Sequence, residues 1–141
     1  MKRTANAQWK GTIMEGGGTV TTQSGALSGL PYTFKSRFVD ETGKSGTNPE
    51  ELIGAAHAGC YAMQFSAFLG ENGTPAAELN VTAAVEIIPG TGITSSALTV
   101  RGNVPGITAE KFAELANKAK AECPVSRALG AINVTLDAQL A

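Results

Sequence analysis

The chain has 141 residues, of which 43% are hydrophobic and 16% are charged, and its formal net charge is −1. This length predicts one domain over residues 1–141, and the composition is that of a globular protein rather than a disordered one. The near-neutral charge predicts neither a nucleic-acid partner nor binding to an anionic membrane. No apolar run follows the basic start, so we expect no signal peptide and a cytoplasmic protein with reduced thiols.

The first third of the chain is predicted to form strands. Residues 5–10 alternate between small or aromatic and polar side chains, as a half-buried strand does. Three glycines at 16–18 precede the β-prone run 19–22 and indicate a hairpin or bulged turn. Apolar and polar residues also alternate from Leu30 to Phe38, which predicts a third strand with Arg37 on the face that is usually solvated.

The strongest pattern is a long helix that follows Asn48. Asn48 is a good N-cap, Pro49 suits the first helical position, and Glu51 completes a box-like start. Apolar residues continue to Leu69, and two glycines then close the helix. A helix of about 21 residues that is apolar nearly all round is predicted to lie inside the protein.

The rest of the chain predicts two strands, two helices and a final strand. Alternation of apolar and polar residues predicts strands at Leu79–Ile88, Ile93–Arg101 and Ile132–Leu140. One helix is expected from Thr108 to Glu122. After a break at Cys123, a short helix is expected over Pro124–Leu129. Strands therefore come in runs joined by short turns. This order predicts an α+β fold with mostly antiparallel pairing.

Polar side chains form one stripe on the long helix. At 100° per residue, His57 and Gln64 lie within about 60° of Cys60. Burying such groups costs free energy unless they are partnered, so the stripe indicates a cavity, a hydrogen-bond network or a site. The alternative is a buried hydrogen-bonded pair without chemistry, because a free cysteine is often simply part of a core.

Two further candidates follow from their positions. Glu50 lies about 80° from Cys60 around the helix but about 15 Å along its axis, too far for direct contact within one helix. Glu50 would therefore act through a long bridging residue, on a site completed by another subunit, or only on the helix terminus, as Glu51 does. Cys123 either fills a corner of the core or, at the start of a short helix, has a lowered pKa.

Four segments together resemble the family of osmotically induced and organic-hydroperoxide-resistance proteins (OsmC/Ohr). The most specific are GTNPEELIGAAHAGC at 46–60 and CPVSRAL at 123–129, and residues 31–38 and 132–136 also fit. The resemblance implies an OsmC-like α+β fold, with antiparallel sheets enclosing central helices of an intertwined homodimer and active sites at the subunit interface. The glycine turn has no arginine, which favours the OsmC-like branch.

The resemblance also implies an activity, the thiol-dependent reduction of organic hydroperoxides, and less well of hydrogen peroxide, to alcohols without metal, haem or other cofactor. Cys60 matches the peroxidatic cysteine, Cys123 the resolving one, Arg37 the catalytic arginine and Glu50 the acid that pairs with it. Cys60 would become a sulfenic acid and then form a disulfide with Cys123, which an external dithiol of the lipoyl type reduces. Such an enzyme would serve oxidative and osmotic stress defence.

Two other functions remain open on the sequence. A cysteine hydrolase using Cys60 and His57 would need an oxyanion hole and would not need Cys123. A non-catalytic dimeric protein would hold a small ligand in an apolar cavity. The side chains that would line an apolar pocket, or else form plain core, are Phe34, Tyr61, Met63 and Phe65.

Overall fold

The computed structural model describes all residues, 1–141. Its elements in chain order are β1 (Ala5–Lys10), β2 (Gly17–Thr22), β3 (Leu30–Tyr32), α1 (Phe34–Phe38), α2 (Pro49–Glu71), β4 (Glu78–Ile88), β5 (Gly92–Asn103), α3 (Ala109–Glu122), α4 (Pro124–Ala128) and β6 (Asn133–Leu140). They form two sheets, ordered β1-β2-β3 and β4-β5-β6, and only the β5–β6 pair is parallel. The predicted α+β class with mostly antiparallel pairing is confirmed.

The chain divides into two compact units, Met1–Leu52 and Ile53–Ala141. In the first unit, Gly18 of β2 lies against the ring of Tyr32 in β3. A Cβ atom on Gly18 would come within 2.6 Å of Tyr32 Cε1, so a larger residue does not fit there. Trp9 packs on the same ring, with the two ring centroids 5.3 Å apart.

The predicted strand from Leu30 to Phe38 is wrong beyond Tyr32, because the chain turns there into helix α1. The hydroxyl of Thr33 accepts from the N–H of Ser36 at 3.0 Å, and the Ser36 hydroxyl accepts from the N–H of Thr33 at 2.9 Å. This reciprocal capping box starts the helix. Residues four apart share a face in a strand and in a helix alike, so the apolar spacing did not distinguish the two.

Helix α2 begins as predicted and ends two residues later than predicted. The Asn48 side chain accepts from the N–H of Glu51 at 2.8 Å, which makes Asn48 the N-cap, and Pro49 is the first helical residue. The helix continues to Glu71. Neither α2 nor any other helix combines the length and apolar character that spanning a membrane requires.

The expectation that α2 is buried all round is wrong for a single chain. Tyr61, Phe65 and Leu69 on one face are fully buried, whereas Met63 on another face is 78% exposed. The other exposed residues on this open face of α2 are small: Ala55, Ala56, Gly59, Ser66 and Ala67. A helix that is apolar all round is normally covered on every side, so this open face lacks a partner in the single chain.

The second unit has its core around the buried part of α2, where Phe65 packs edge-on against Phe112 of α3 with ring centroids 5.1 Å apart. Thr108 caps α3 by accepting from the N–H of Lys111 at 3.2 Å. The N–H of Cys123 donates to the Ala119 carbonyl at 2.8 Å, and α4 starts at the next residue. The predicted break at Cys123 is therefore confirmed.

Candidate active site

Cys60 on α2 and Cys123 at the junction of α3 and α4 are neighbours in the second unit, although 63 positions separate them in the chain. Both are free thiols. Cys123 is fully buried, whereas Cys60 is partly exposed. The two side chains are neighbours, because each shifts the pKa of the other. The fold thus places one reachable and one protected sulfur side by side.

The two thiols differ in acidity. Burial raises the pKa of Cys60, the N–H of Val125 lowers it only in part, and the neighbouring Cys123 raises it again. Burial also raises the pKa of Cys123. Hydrogen bonds outweigh this effect and leave that pKa below its ordinary value. The main donors are the N–H of Ser126, the Cys60 thiol and the Ser126 hydroxyl. Within this unit Cys60 is therefore the less acidic of the two thiols.

In the first unit, α1 presents Arg37 to Glu50 in the first turn of α2. The guanidinium binds the carboxylate with two nitrogens: Nη2 donates to Oε1 at 2.7 Å and Nε donates to Oε2 at 3.2 Å. The Glu50 side chain is only 8% exposed, so this two-point ion pair holds the arginine in one orientation. The adjacent acid, Glu51, instead accepts from the Thr47 hydroxyl at 2.9 Å.

A small aromatic cavity lies beside Arg37 in the same unit. Its volume is about 60 Å³, and it is lined by Trp9, Ile13, Tyr32, Thr33, Phe34, Arg37, Phe38 and Pro49. Of the four side chains considered for an apolar pocket, only Phe34 lines this cavity. Tyr61 and Phe65 are core residues of the second unit, and Met63 is exposed.

His57 is fully buried and engaged at both ring nitrogens. Nδ1 lies 2.7 Å from the Ser96 hydroxyl, and Nε2 lies 2.8 Å from the Ser126 hydroxyl. Burial lowers the pKa of His57, so the ring is neutral in the folded protein. Ser126 belongs to the CPVSRAL segment at 123–129, although only Cys123 of that segment was predicted to be a site residue, and Ser96 does not stand out in the sequence. The signal present is that Ser96 occupies an inward position of β5, two residues from the buried Leu98.

A family model described as OsmC-like protein matches residues 41–137. Peroxiredoxin OsmC of Escherichia coli (strain K12) is 49% identical over 137 residues, which cover 95% of this chain and 93% of that relative. The chain belongs to the OsmC-like family.

Solved structures of OsmC-like relatives agree with this membership. The organic hydroperoxide resistance protein OhrB of Bacillus subtilis superposes with a TM-score of 0.70 at 25% identity and covers 96% of this chain and 98% of its own. An organic hydroperoxide resistance protein from Elizabethkingia anophelis gives a TM-score of 0.70 at 26% identity, covering 100% of this chain and 99% of its own. The predicted OsmC/Ohr family and OsmC-like fold are confirmed.

Because the folded protein keeps His57 neutral, its stability should fall as the pH drops below the ordinary histidine pKa of about 6.5. In that range the unfolded chain takes up a proton at His57 and the folded chain does not, so acid favours unfolding. We expect the free energy of unfolding, measured by urea denaturation at one protein concentration, to decrease between about pH 7 and about pH 5.

The control is His57→Gln, which removes the only histidine of the chain. At neutral pH, the free energy of unfolding of this variant is expected to be lower than that of the wild type. On acidification, its free energy of unfolding should decrease by less than that of the wild type. An equal decrease in the two proteins would exclude His57 as the group responsible.

Proposed function

We propose that this chain is a cysteine-based peroxidase that reduces organic hydroperoxides, and hydrogen peroxide less well, in oxidative and osmotic stress defence. The observation that carries the proposal is the pair of neighbouring free thiols, Cys60 partly exposed and Cys123 buried. The relatives support it: a chain 49% identical is named a peroxiredoxin, and two structural neighbours are named organic hydroperoxide resistance proteins.

The proposed cycle uses sulfur chemistry alone. Cys60 is the attacking thiol, because it is the sulfur that a substrate can reach. Its thiolate attacks the terminal oxygen of ROOH, the O–O bond breaks, the alkoxide takes up a proton and leaves as ROH, and Cys60 becomes a sulfenic acid. Cys123 then displaces hydroxide from the Cys60 sulfur to form a disulfide. An external dithiol of the lipoyl type reduces that disulfide.

Arg37 is the proposed source of the positive charge that Cys60 needs. A guanidinium favours the thiolate and also stabilises the negative charge that develops on the leaving oxygen. Glu50 orients Arg37 through the two-point ion pair, and the aromatic cavity beside Arg37 suits the alkyl part of an organic hydroperoxide. The separation of ten positions between Glu50 and Cys60 on α2, about 15 Å along the helix axis, favours an active site that draws on two subunits.

A second copy of this chain is the proposed partner for the open face of α2. This face carries no charged side chain, and beside it lies a groove of about 590 Å³ lined by Ala62, Met63, Ser66, Ala67, Ala76, Ala77, Glu78 and Leu79. Uncovered apolar surface of this kind marks a protein interface. We propose a cytoplasmic homodimer in which residues 1–141 of each chain form one OsmC-like domain.

The cysteine hydrolase is the weaker alternative. Both ring nitrogens of His57 are hydrogen-bonded to serines, so neither is free to accept a proton from Cys60. A hydrolase also gives no reason for the second thiol beside the first. The experiment below distinguishes the peroxidase from the other alternative, a non-catalytic binding protein.

The proposal is tested by peptide mass spectrometry after the reduced protein receives one equivalent of cumene hydroperoxide. We expect a Cys60–Cys123 disulfide in the wild type, and in Cys123→Ser a sulfenic acid on Cys60 that dimedone traps, because the resolving thiol is missing. Cys60→Ser should leave both the peroxide and Cys123 unchanged. If Cys60 stays a thiol in the wild type while the peroxide persists, the protein is not a peroxidase.

Arg37→Ala should slow peroxide consumption by about 100-fold, because it removes the charge that stabilises the thiolate and the leaving oxygen. In a Cys123→Ser background it should also raise the pKa of Cys60, which is followed by the ultraviolet absorbance of the thiolate. Lys35→Ala, which removes a charge from the exposed side of the same helix, is the matched control. Unchanged kinetics in Arg37→Ala would remove Arg37 from the mechanism.

A further inference from the structure

A series of buried hydrogen bonds leads to Cys123. No step of the proposed cycle uses these hydrogen bonds. The series runs from Ser96 on β5 through His57 on α2 to Ser126 on α4, with contacts of 2.7 and 2.8 Å at the two ring nitrogens. Ser96 and His57 are fully buried, and Ser126 is 8% exposed. Ser126 lies in the first turn of α4, which starts directly after Cys123, and its hydroxyl lowers the pKa of Cys123.

The number of protons available on His57 and the two serines decides which group donates in each of these hydrogen bonds. A neutral imidazole has one N–H donor and one acceptor nitrogen, so His57 donates to one serine and accepts from the other. If His57 donated to Ser96, the buried Ser96 hydroxyl would be left without an acceptor for its own proton, which costs free energy. If His57 donates from Nε2 to Ser126 instead, Ser96 donates to Nδ1, and the Ser126 hydroxyl points its proton at Cys123. Only the second arrangement uses every donor.

The other side chains around the Cys123 sulfur do not replace this contribution. Cys60 donates to Cys123 only while it is a thiol, and that donor is lost when Cys60 is oxidised. Burial holds the pKa of Tyr61 well above its usual range, so the phenol is neutral, and its hydroxyl donates to the Ala116 carbonyl at 3.1 Å. After oxidation of Cys60, the Ser126 hydroxyl is therefore the side-chain donor that remains.

We propose that His57 is a positioning residue for the disulfide-forming step: it turns the Ser126 hydroxyl toward Cys123, so that Cys123 meets the Cys60 sulfenic acid as a thiolate. This inference rests on the proposed peroxidase cycle, which supplies the sulfenic acid. The S–S bond forms as the S–O bond of Cys60 breaks. The released hydroxide combines with the proton that Cys123 gave up, so water is the product. Cys123 is oxidised and the Cys60 sulfur is reduced, both to the disulfide level.

A pair of substitutions at one position separates this role from a merely structural one. The amide of glutamine reaches the place of Nε2 and retains the donor to Ser126, whereas the shorter asparagine reaches only the place of Nδ1 and Ser96. We therefore expect His57→Asn and Ser126→Ala to slow disulfide formation by about tenfold, and His57→Gln to stay close to the wild type. Ser95→Ala, on the opposite face of β5, is the control and should have no effect.

The two chemical steps are followed separately by mass spectrometry of samples quenched at intervals after one equivalent of cumene hydroperoxide. In every variant the Cys60 sulfenic acid should form at the wild-type rate, and only its conversion to the disulfide should slow. Equal disulfide rates in His57→Asn, His57→Gln and the wild type would overturn the proposal. So would an equal loss in the two His57 variants, because a purely structural residue gives that result.

A second measurement needs no peroxide and so stays decisive if the peroxidase cycle itself is wrong. In a Cys60→Ser background, the ultraviolet absorbance of the Cys123 thiolate is measured as a function of pH. A variant that lacks both cysteines is the reference. Ser126→Ala and His57→Asn should raise the pKa of Cys123, and His57→Gln should not. An unchanged pKa in Ser126→Ala, a variant that keeps His57 and the backbone in place, would overturn the role of His57 and Ser126.

Discussion

A polar side chain on an apolar helix needs a partner wherever the helix is buried, and each candidate site residue of α2 has one. Glu50 is partnered by a guanidinium, His57 by two serine hydroxyls and Cys60 by a second thiol. These partners come from α1, β5 and the segment around α4. Each unit therefore joins its own part of α2 to residues that lie elsewhere in the sequence.

The two sulfurs differ in burial and in hydrogen-bond partners, and these differences suit them to different roles in the proposed cycle. Cys123 is buried among hydrogen-bond donors and is the more acidic thiol of its unit, whereas burial makes Cys60 less acidic. Cys60 is partly exposed, whereas Cys123 is fully buried. We propose that the reactivity of Cys60 toward peroxide depends on a positive charge supplied from outside its unit, and that resolution of the oxidised sulfur depends on donors already present around Cys123. The guanidinium of Arg37, which Glu50 orients, is the proposed charge.

Local signals in the sequence were enough to predict the long helix, its Asn48 cap and the break at Cys123, because caps, proline and periodicity act over a few neighbouring residues. The angle around the helix also singled out Glu50 rather than Glu51 as the acid for a site. Local signals failed at the end of β3, where Phe34 and Phe38 share a face in a strand and in a helix. They could not predict the pairing of His57 with Ser96 and Ser126, which depends on how the sheet and α4 pack. Nor could they show that one face of α2 is open, since that depends on what else covers the helix.

A site shared between subunits requires Arg37 of one subunit to act on Cys60 of another, and mixing two inactive variants tests this most directly. Arg37→Ala and Cys60→Ser are combined in equal amounts, and native mass spectrometry verifies subunit exchange. Each mixed dimer would then hold one complete site, so peroxide consumption should return to about a quarter of the wild-type rate. Mixed dimers that form without any recovery of activity would contradict a site shared between subunits.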